Sequence, residues 1–124
     1  MNITDGGITA AKGFEAAGIE VGIKENHSGK KEMAMIFSKT PCKVAGTFTT
    51  NRVKAAPVKW DREVVNSGND AHVVVINSGI ANACTGKEGY DYCSQIAEKA
   101  AETLKVPAES VLVASTGVIG MQLP

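Results

Sequence analysis

Ser115-Thr116-Gly117 interrupts an apolar, β-branched run that begins at Val111 and resumes at Val118-Ile119. The run reads as a buried strand. A strand that stops in Ser-Thr-Gly leaves backbone N–H groups without ladder partners, and glycine lets another group approach that backbone closely. The Thr116 hydroxyl and the Gly117 N–H would then form a small donor cluster. Donors fixed at the end of a rigid strand are what a developing oxyanion requires. The same residue types also make ordinary β-turns, and the local sequence leaves both readings open.

A second polar cluster is Asn77-Ser78-Gly79-Ile80-Ala81-Asn82-Ala83-Cys84-Thr85-Gly86-Lys87-Glu88-Gly89. It reads as a long loop of small residues, a place where binding groups tend to collect. It lacks the spacings G-x-x-x-x-G-K-[ST] and G-x-G-x-x-G, which excludes a nucleotide loop. Cys84 stands ahead of a predicted helix, whose N-terminus would lower a thiol pKa. No His or acid is available beside it to orient it, and a small buried packing cysteine is the plainer reading. His27 and His72 are far apart and no cysteine pair has zinc spacing, so no metal site is expected. His72, inside an apolar run, reads as a hydrogen-bonded packing residue rather than a base.

The elements that must position these clusters follow from periodicity. Residues 18–24 alternate apolar and polar, residues 25–31 form a turn, and 32–38 make a hairpin partner. Pro41 interrupts before a third strand over 42–50, which predicts an antiparallel meander. Pro57 suits the first turn of a helix that runs to Val65 and ends near Gly68. Residues 71–76, apolar on both faces, make a central strand. Tyr92, Ile96, Ala100 and Leu104, with Cys93 and Ala97, mark an amphipathic helix that Pro107 stops. Strand, loop, helix and strand then form a βαβ unit whose two strands bring the Asn77 loop and Thr116-Gly117 to one edge. The fold class expected is α/β (α+β), one domain over residues 1–124.

Composition bounds the partners. Thirteen basic and thirteen acidic residues cancel, so no charge excess points to nucleic acid or an anionic membrane. Apolar content of 44% with 21% charged residues fits a globular chain, not a disordered one. No apolar run approaches the ~20 residues that span a bilayer. Three cysteines are an odd number for a disulfide framework, and no signal peptide is expected, so the reading is a reducing cytoplasm.

Three ordered segments carry a family resemblance: Gly46-Thr47-Phe48-Thr49-Thr50-Asn51-Arg52-Val53-Lys54-Ala55-Ala56-Pro57-Val58, then Asn77 to Gly86, then Ala114-Ser115-Thr116-Gly117-Val118-Ile119-Gly120. With the opening Gly6 to Phe14 they resemble the ornithine acetyltransferase (glutamate N-acetyltransferase) family of arginine biosynthesis. The resemblance covers essentially the whole chain and implies a DmpA/ornithine-acetyltransferase-like fold, with mixed sheets flanked by helices. It implies acetyl transfer from N-acetylornithine to glutamate, with acetyl-CoA a further donor in some members and no cofactor. It also implies a precursor that cuts itself to expose an N-terminal threonine nucleophile, and an α2β2 heterotetramer. In that pattern Thr116 (hydroxyl) and Gly117 (N–H) supply the oxyanion hole, which favours the donor reading over the turn. The cleavage segment with its threonine is absent here, as are the later substrate-binding positions. The expectation is therefore the N-terminal portion of the family's first chain, inactive alone and partnered by the rest of the precursor. A non-catalytic α/β module binding an amino acid or anion is the alternative.

Overall fold

The computed structural model describes residues 5–24 and 29–124. Four strands form one sheet in sequence order: β1 (Phe14–Ile19), β2 (Met33–Cys42), β3 (Ala71–Ile80) and β4 (Val111–Val118). The β1/β2 and β2/β3 pairs are antiparallel, while β3/β4 is parallel and joined through a helix, as the βαβ reading requires. Helices α1 (Ala56–Asn66) and α2 (Gly86–Leu104) complete the mixed α/β fold, with single 3-10 turns at Ile8–Ala10 and Ala108–Ser110.

Alternation along β3 and β4 decides where the core lies. Val73, Val75 and Val111 face α2 and are buried with Ala97, Ala100 and Ala101. Val113 packs with Ala56 and Cys93. The buried positions of α2 are its small residues Gly89, Cys93, Ala97, Ala100 and Ala101, while Ile96 and Leu104 are partly buried against the same core. Pro57 occupies the first turn of α1, and Gly68 follows its C-terminus at φ +75°.

Helix α1 also covers the outer edge of β4. Trp60 Nε1 donates to the Val111 carbonyl at 2.9 Å, and the Val113 N–H donates to Asp61 Oδ1 at 2.9 Å. Two side chains thus satisfy edge groups that would otherwise invite another strand. Burial pushes the Asp61 carboxyl up to about 6, against the opposing pull of the Val113 N–H.

The antiparallel half differs from its sequence reading. The first strand is Phe14–Ile19, not 18–24. Glu32 N donates to the Ile19 carbonyl and closes the hairpin there, and the Glu32 carboxylate draws residues 23–24 out of the ladder. The turn expected over 25–31 lies largely outside the described residues. Strand β2 runs through Pro41, which sits where the β2/β3 register shifts between Phe37 and Cys42, so its missing N–H breaks no ladder bond. The third meander strand over 42–50 does not form. Strand β3 is already flanked by β2 and β4, and the chain from Lys43 runs irregularly towards α1.

Candidate functional site

The Asn77 cluster and the Ser115-Thr116-Gly117 cluster do meet, but inside the ladder rather than beyond it. Strand β4 pairs in register with β3 through Ser115↔Asn77, Thr116↔Ser78, Gly117↔Gly79 and Val118↔Ile80. The expected strand end at Ser115 and the expected loop from Asn77 are therefore both corrected. Each strand continues because the other supplies its ladder partner, and the true loop is residues 81–85.

Gly117 has φ +133°, and a Cβ there would lie 2.2 Å from the carbonyl carbon and oxygen of Gly79. Neither backbone can move aside, so glycine is obligatory at this crossing. Gly79 itself has φ +119°, and a Cβ on it would meet Ile23 Cγ2 at 2.7 Å and Lys24 Cγ and Cε at 3.2 Å. Three segments meet at this edge: Gly117 lies backbone to backbone beside Gly79 in the ladder, and the side chains of Ile23 and Lys24 lie against Gly79.

Polar groups hold these segments together. The Ser115 hydroxyl donates to Asn77 Oδ1 at 2.5 Å, and Asn77 Nδ2 donates to the Ile80 carbonyl at 2.8 Å. Thr116 takes no part in this network and stays exposed, as does Gly117. The Glu32 carboxylate, on a residue only 4% exposed, accepts the N–H groups of Ile23 and Lys24 at 2.9 Å each. Burial raises its pKa, but the N–H donors outweigh that and leave the carboxyl below the usual range. The Glu32 carbonyl accepts the Ser78 N–H at 2.8 Å, tying the same residue to β3.

The 81–85 loop is a second buried knot, centred on Asn82. This residue is fully buried at φ +47°. Its Oδ1 accepts the Thr85 hydroxyl at 2.7 Å, and its Nδ2 donates to the Gly89 carbonyl at 2.8 Å. Its own carbonyl accepts the Ala56 N–H that opens α1, at 3.0 Å. A Cβ at Gly89 would fall 2.0 Å from Thr85 Oγ1, so glycine there is the condition for the knot. The exit of β4 laces onto this loop: Gly120 N donates to the Ala83 carbonyl and Gln122 Nε2 to the Thr85 carbonyl.

Cys84 is exposed, at φ +58°, rather than buried. Asn82 occupies the interior instead and turns the next residues outward. Cys84 lines a cavity of about 140 Å³ with Arg52, Lys54, Lys59 and Thr85. Cys93 is the packing cysteine, its thiol pushed up to about 12 by burial and by the nearby Asp61 charge. Cys42 is half-buried and contacts the Ser38 hydroxyl at 3.2 Å. His72 behaves as a packing residue, with Nδ1 2.9 Å from the Ser38 carbonyl. Among the described residues, no group of three or more His, Cys, Asp or Glu is placed to hold a metal ion. No described helix is long and apolar enough to cross a membrane.

Sequence reasoning singled out Thr116 and Gly117 but passed over Asn82, Glu32 and the Gly79 crossing. Asn82 is flanked by Ala81 and Ala83, and its left-handed backbone shows only in the fold. Nothing local marks Glu32.

The model of the ArgJ family matches residues 15–124. The chain belongs to the ArgJ family. It is 50% identical, over all of its length, to the arginine biosynthesis bifunctional protein ArgJ of Caldanaerobacter subterraneus. It is 51% identical over 97% of its length to the protein of that name from Gloeobacter violaceus. It spans 30% and 29% of those two proteins. The ArgJ of Bacillus halodurans superposes with a TM-score of 0.88 at 42% identity, over 96% of this chain and 61% of that one. The ornithine acetyltransferase of Mycobacterium tuberculosis, solved with ornithine, gives 0.87 at 44% identity, over 95% and 63%. ArgJ-family membership fits the ordered motifs.

Proposed function

We propose that this chain is part of a glutamate N-acetyltransferase of arginine biosynthesis, and that Thr116 and Gly117 donate to the oxyanion of the acyl-transfer step. The observation that carries the reading is the Gly117–Gly79 crossing. It fixes the backbone beside an exposed threonine hydroxyl while consuming neither that hydroxyl nor the space in front of it. Membership of the ArgJ family, and a relative solved with ornithine, support the substrate class.

In this reading a threonine outside the 124 residues attacks the acetyl carbonyl of N-acetylornithine. The carbonyl electron pair moves onto oxygen and is held by the Thr116 hydroxyl and the Gly117 N–H. Its return expels the ornithine amine, which takes up the proton lost by the nucleophile, and leaves acetyl-threonine. The glutamate amine then attacks that ester through a second oxyanion at the same donors. The nucleophile is supplied by the rest of a self-cleaved precursor in an α2β2 assembly, so these 124 residues alone perform no transfer. Acetyl-CoA is an additional donor for a bifunctional enzyme, as the names of the relatives fit, and no cofactor is required.

Thr116→Ala in the complete, cleaved protein tests the assignment. The hydroxyl acts mainly in the transition state, so kcat should fall ~10²–10³-fold with KM little changed. Thr116→Ser keeps the donor and should retain most activity. A folded, fully cleaved Thr116→Ala enzyme running near the parent rate would overturn the reading. A second reading, a module that binds an amino acid or anion without chemistry, draws on the Arg52–Lys54–Lys59 cavity. It expects ligand binding by the 124 residues alone and no kinetic effect at Thr116.

A further inference from the structure

Three cations converge on one cavity that neither Thr116 nor Gly117 lines. Arg52 and Lys54 come from the irregular chain ahead of α1 and Lys59 from α1 itself. All three line the space of about 140 Å³ beside Cys84, Thr85 and Gly86. Among the described residues, none of the three is in a salt bridge, and no acid lines the cavity. The acids of α1 and of the first turns of α2 are engaged elsewhere: Asp61 by the Val113 N–H, Glu63 by the Tyr90 hydroxyl, Glu88 by Tyr92 and Asp91 by Lys87. Like charges gathered without a counter-charge raise the local positive potential and attract an anion.

The walls are fixed by the Asn82 knot. The Ala56 N–H donates to the Asn82 carbonyl, which ties the start of α1 to the loop carrying Cys84. Thr85 stands where a hydroxyl ordinarily caps a helix, but it donates to Asn82 Oδ1 instead. Helix α2 therefore starts with no side-chain cap, and its positive end, at Gly86, adds to the three cations.

We propose that this cavity binds a phosphate group, as a site separate from the acyl-transfer edge, with Arg52, Lys54 and Lys59 as its ligands. Size sets the class. At ~30 Å³ per water the space equals about five waters, room for a phosphoryl group but not for the body of a nucleotide. A guanidinium fork and two ammoniums present more donors than one carboxylate can use, and a multiply charged phosphate matches them better. Whatever carries the phosphate lies outside the cavity. The inference does not rest on the reading of Thr116, because the two sets of residues are distinct.

The test uses the complete, cleaved protein and calorimetry at low ionic strength. Inorganic phosphate, pyrophosphate and coenzyme A are the probes, with pantetheine as the phosphate-free control. At least one phosphate probe should bind. Arg52→Gln, Lys54→Gln and Lys59→Gln should each raise its Kd about 10-fold, the loss of one charge-assisted hydrogen bond. Lys99→Gln, towards the far end of α2, should leave it unchanged. Bound phosphate should also slow iodoacetamide labelling of Cys84, which shares the cavity, and leave Cys42 labelling as it was. Coenzyme A binding more tightly than the free ions, with pantetheine far weaker, marks the phosphate as one borne on a larger molecule. Free ions binding as tightly as coenzyme A mark it as a free ion. No binding of any phosphate probe, a Kd unmoved by the three charge removals, or Cys84 left unprotected would overturn the proposal. None of these readouts involves acetyl transfer, so the Thr116→Ala result can fail or succeed independently.

Discussion

Gly117→Ala is the sharpest structural perturbation available at the β3/β4 crossing. Two costs apply. At φ +133° an L-residue is strained, a penalty of about 1–3 kcal/mol. The methyl would also sit 2.2 Å from the carbonyl carbon and oxygen of Gly79, which are backbone and have no rotamer to escape into. Overpacking of that kind costs about 1–3 kcal/mol even where neighbours can yield. Together these approach ~5 kcal/mol, a large share of the stability of an ordinary domain. Two other glycines calibrate the number. Gly120 has φ +82° and no atom within 4 Å of the place a methyl would take, so Gly120→Ala should cost only the backbone strain, about 1 kcal/mol. Gly79→Ala, at φ +119°, would meet the Ile23 Cγ2 methyl at 2.7 Å, a side-chain atom rather than backbone, and should fall between the two. Urea titration of the three variants, followed by circular dichroism, should rank them Gly117, Gly79, Gly120 in decreasing damage. If Gly117→Ala is no worse than Gly120→Ala, the two backbones are not in contact and the stacking of Gly117 on Gly79 is wrong.

Two further outcomes follow from buried groups. Asp61, raised from 3.8 to about 6, favours the folded state fully below the unfolded value, and that advantage is lost as pH rises through about 6. Asp61→Asn keeps an oxygen for the Val113 N–H and should therefore stabilise the protein at pH 8 but not at pH 4. At about 1.4 kcal/mol per pH unit the ceiling is ~3 kcal/mol, which solvent screening of a half-exposed carboxylate reduces to ~1 kcal/mol. An equal effect at both pH values in chemical denaturation would contradict it. Iodoacetamide should label exposed Cys84 first and leave Cys93 untouched until unfolding, as peptide mapping would reveal; native labelling of Cys93 would contradict its burial.

What the sequence disclosed depended on how local the cause was. Helix α2 was legible because its apolar residues recur at helical spacing, and Pro57 marked the start of α1 through its own missing N–H. The βαβ connection was legible for the same reason, and it correctly joined the two polar clusters. Their internal structure was not. Asn77-Ser78-Gly79 and Ser115-Thr116-Gly117 both carry turn chemistry, yet each is a strand because the other is its partner. That choice depends on a contact between residues 38 apart. Glu32 reads locally as the start of a strand, and only folding shows that its carboxylate caps Ile23 and Lys24. Cys84 was misplaced because a small residue among small residues looks buried; the interior position went to Asn82, whose side-chain amide is satisfied on both sides.

That exchange between Asn82 and Cys84 bears on how the edge keeps its shape. A fully buried asparagine is costly unless both ends of its amide are bonded, and here Thr85 and Gly89 meet that demand. The loop is then left with little freedom: its residues 82 and 84 hold left-handed backbone, and its carbonyls are aimed by the knot rather than by solvent. Ala83 and Thr85 present two of those carbonyls to Gly120 and Gln122, while Ala81 donates back to Val118. The segment leaving β4 is therefore held at three points by a loop that cannot easily relax. Thr116 and Gly117 sit between that clamp and the Trp60 and Asp61 bonds to Val111 and Val113. Thr116 and Gly117 are exposed, yet the backbone on either side of them is fixed by buried polar groups, and pre-organisation of this kind is what the proposed oxyanion role requires.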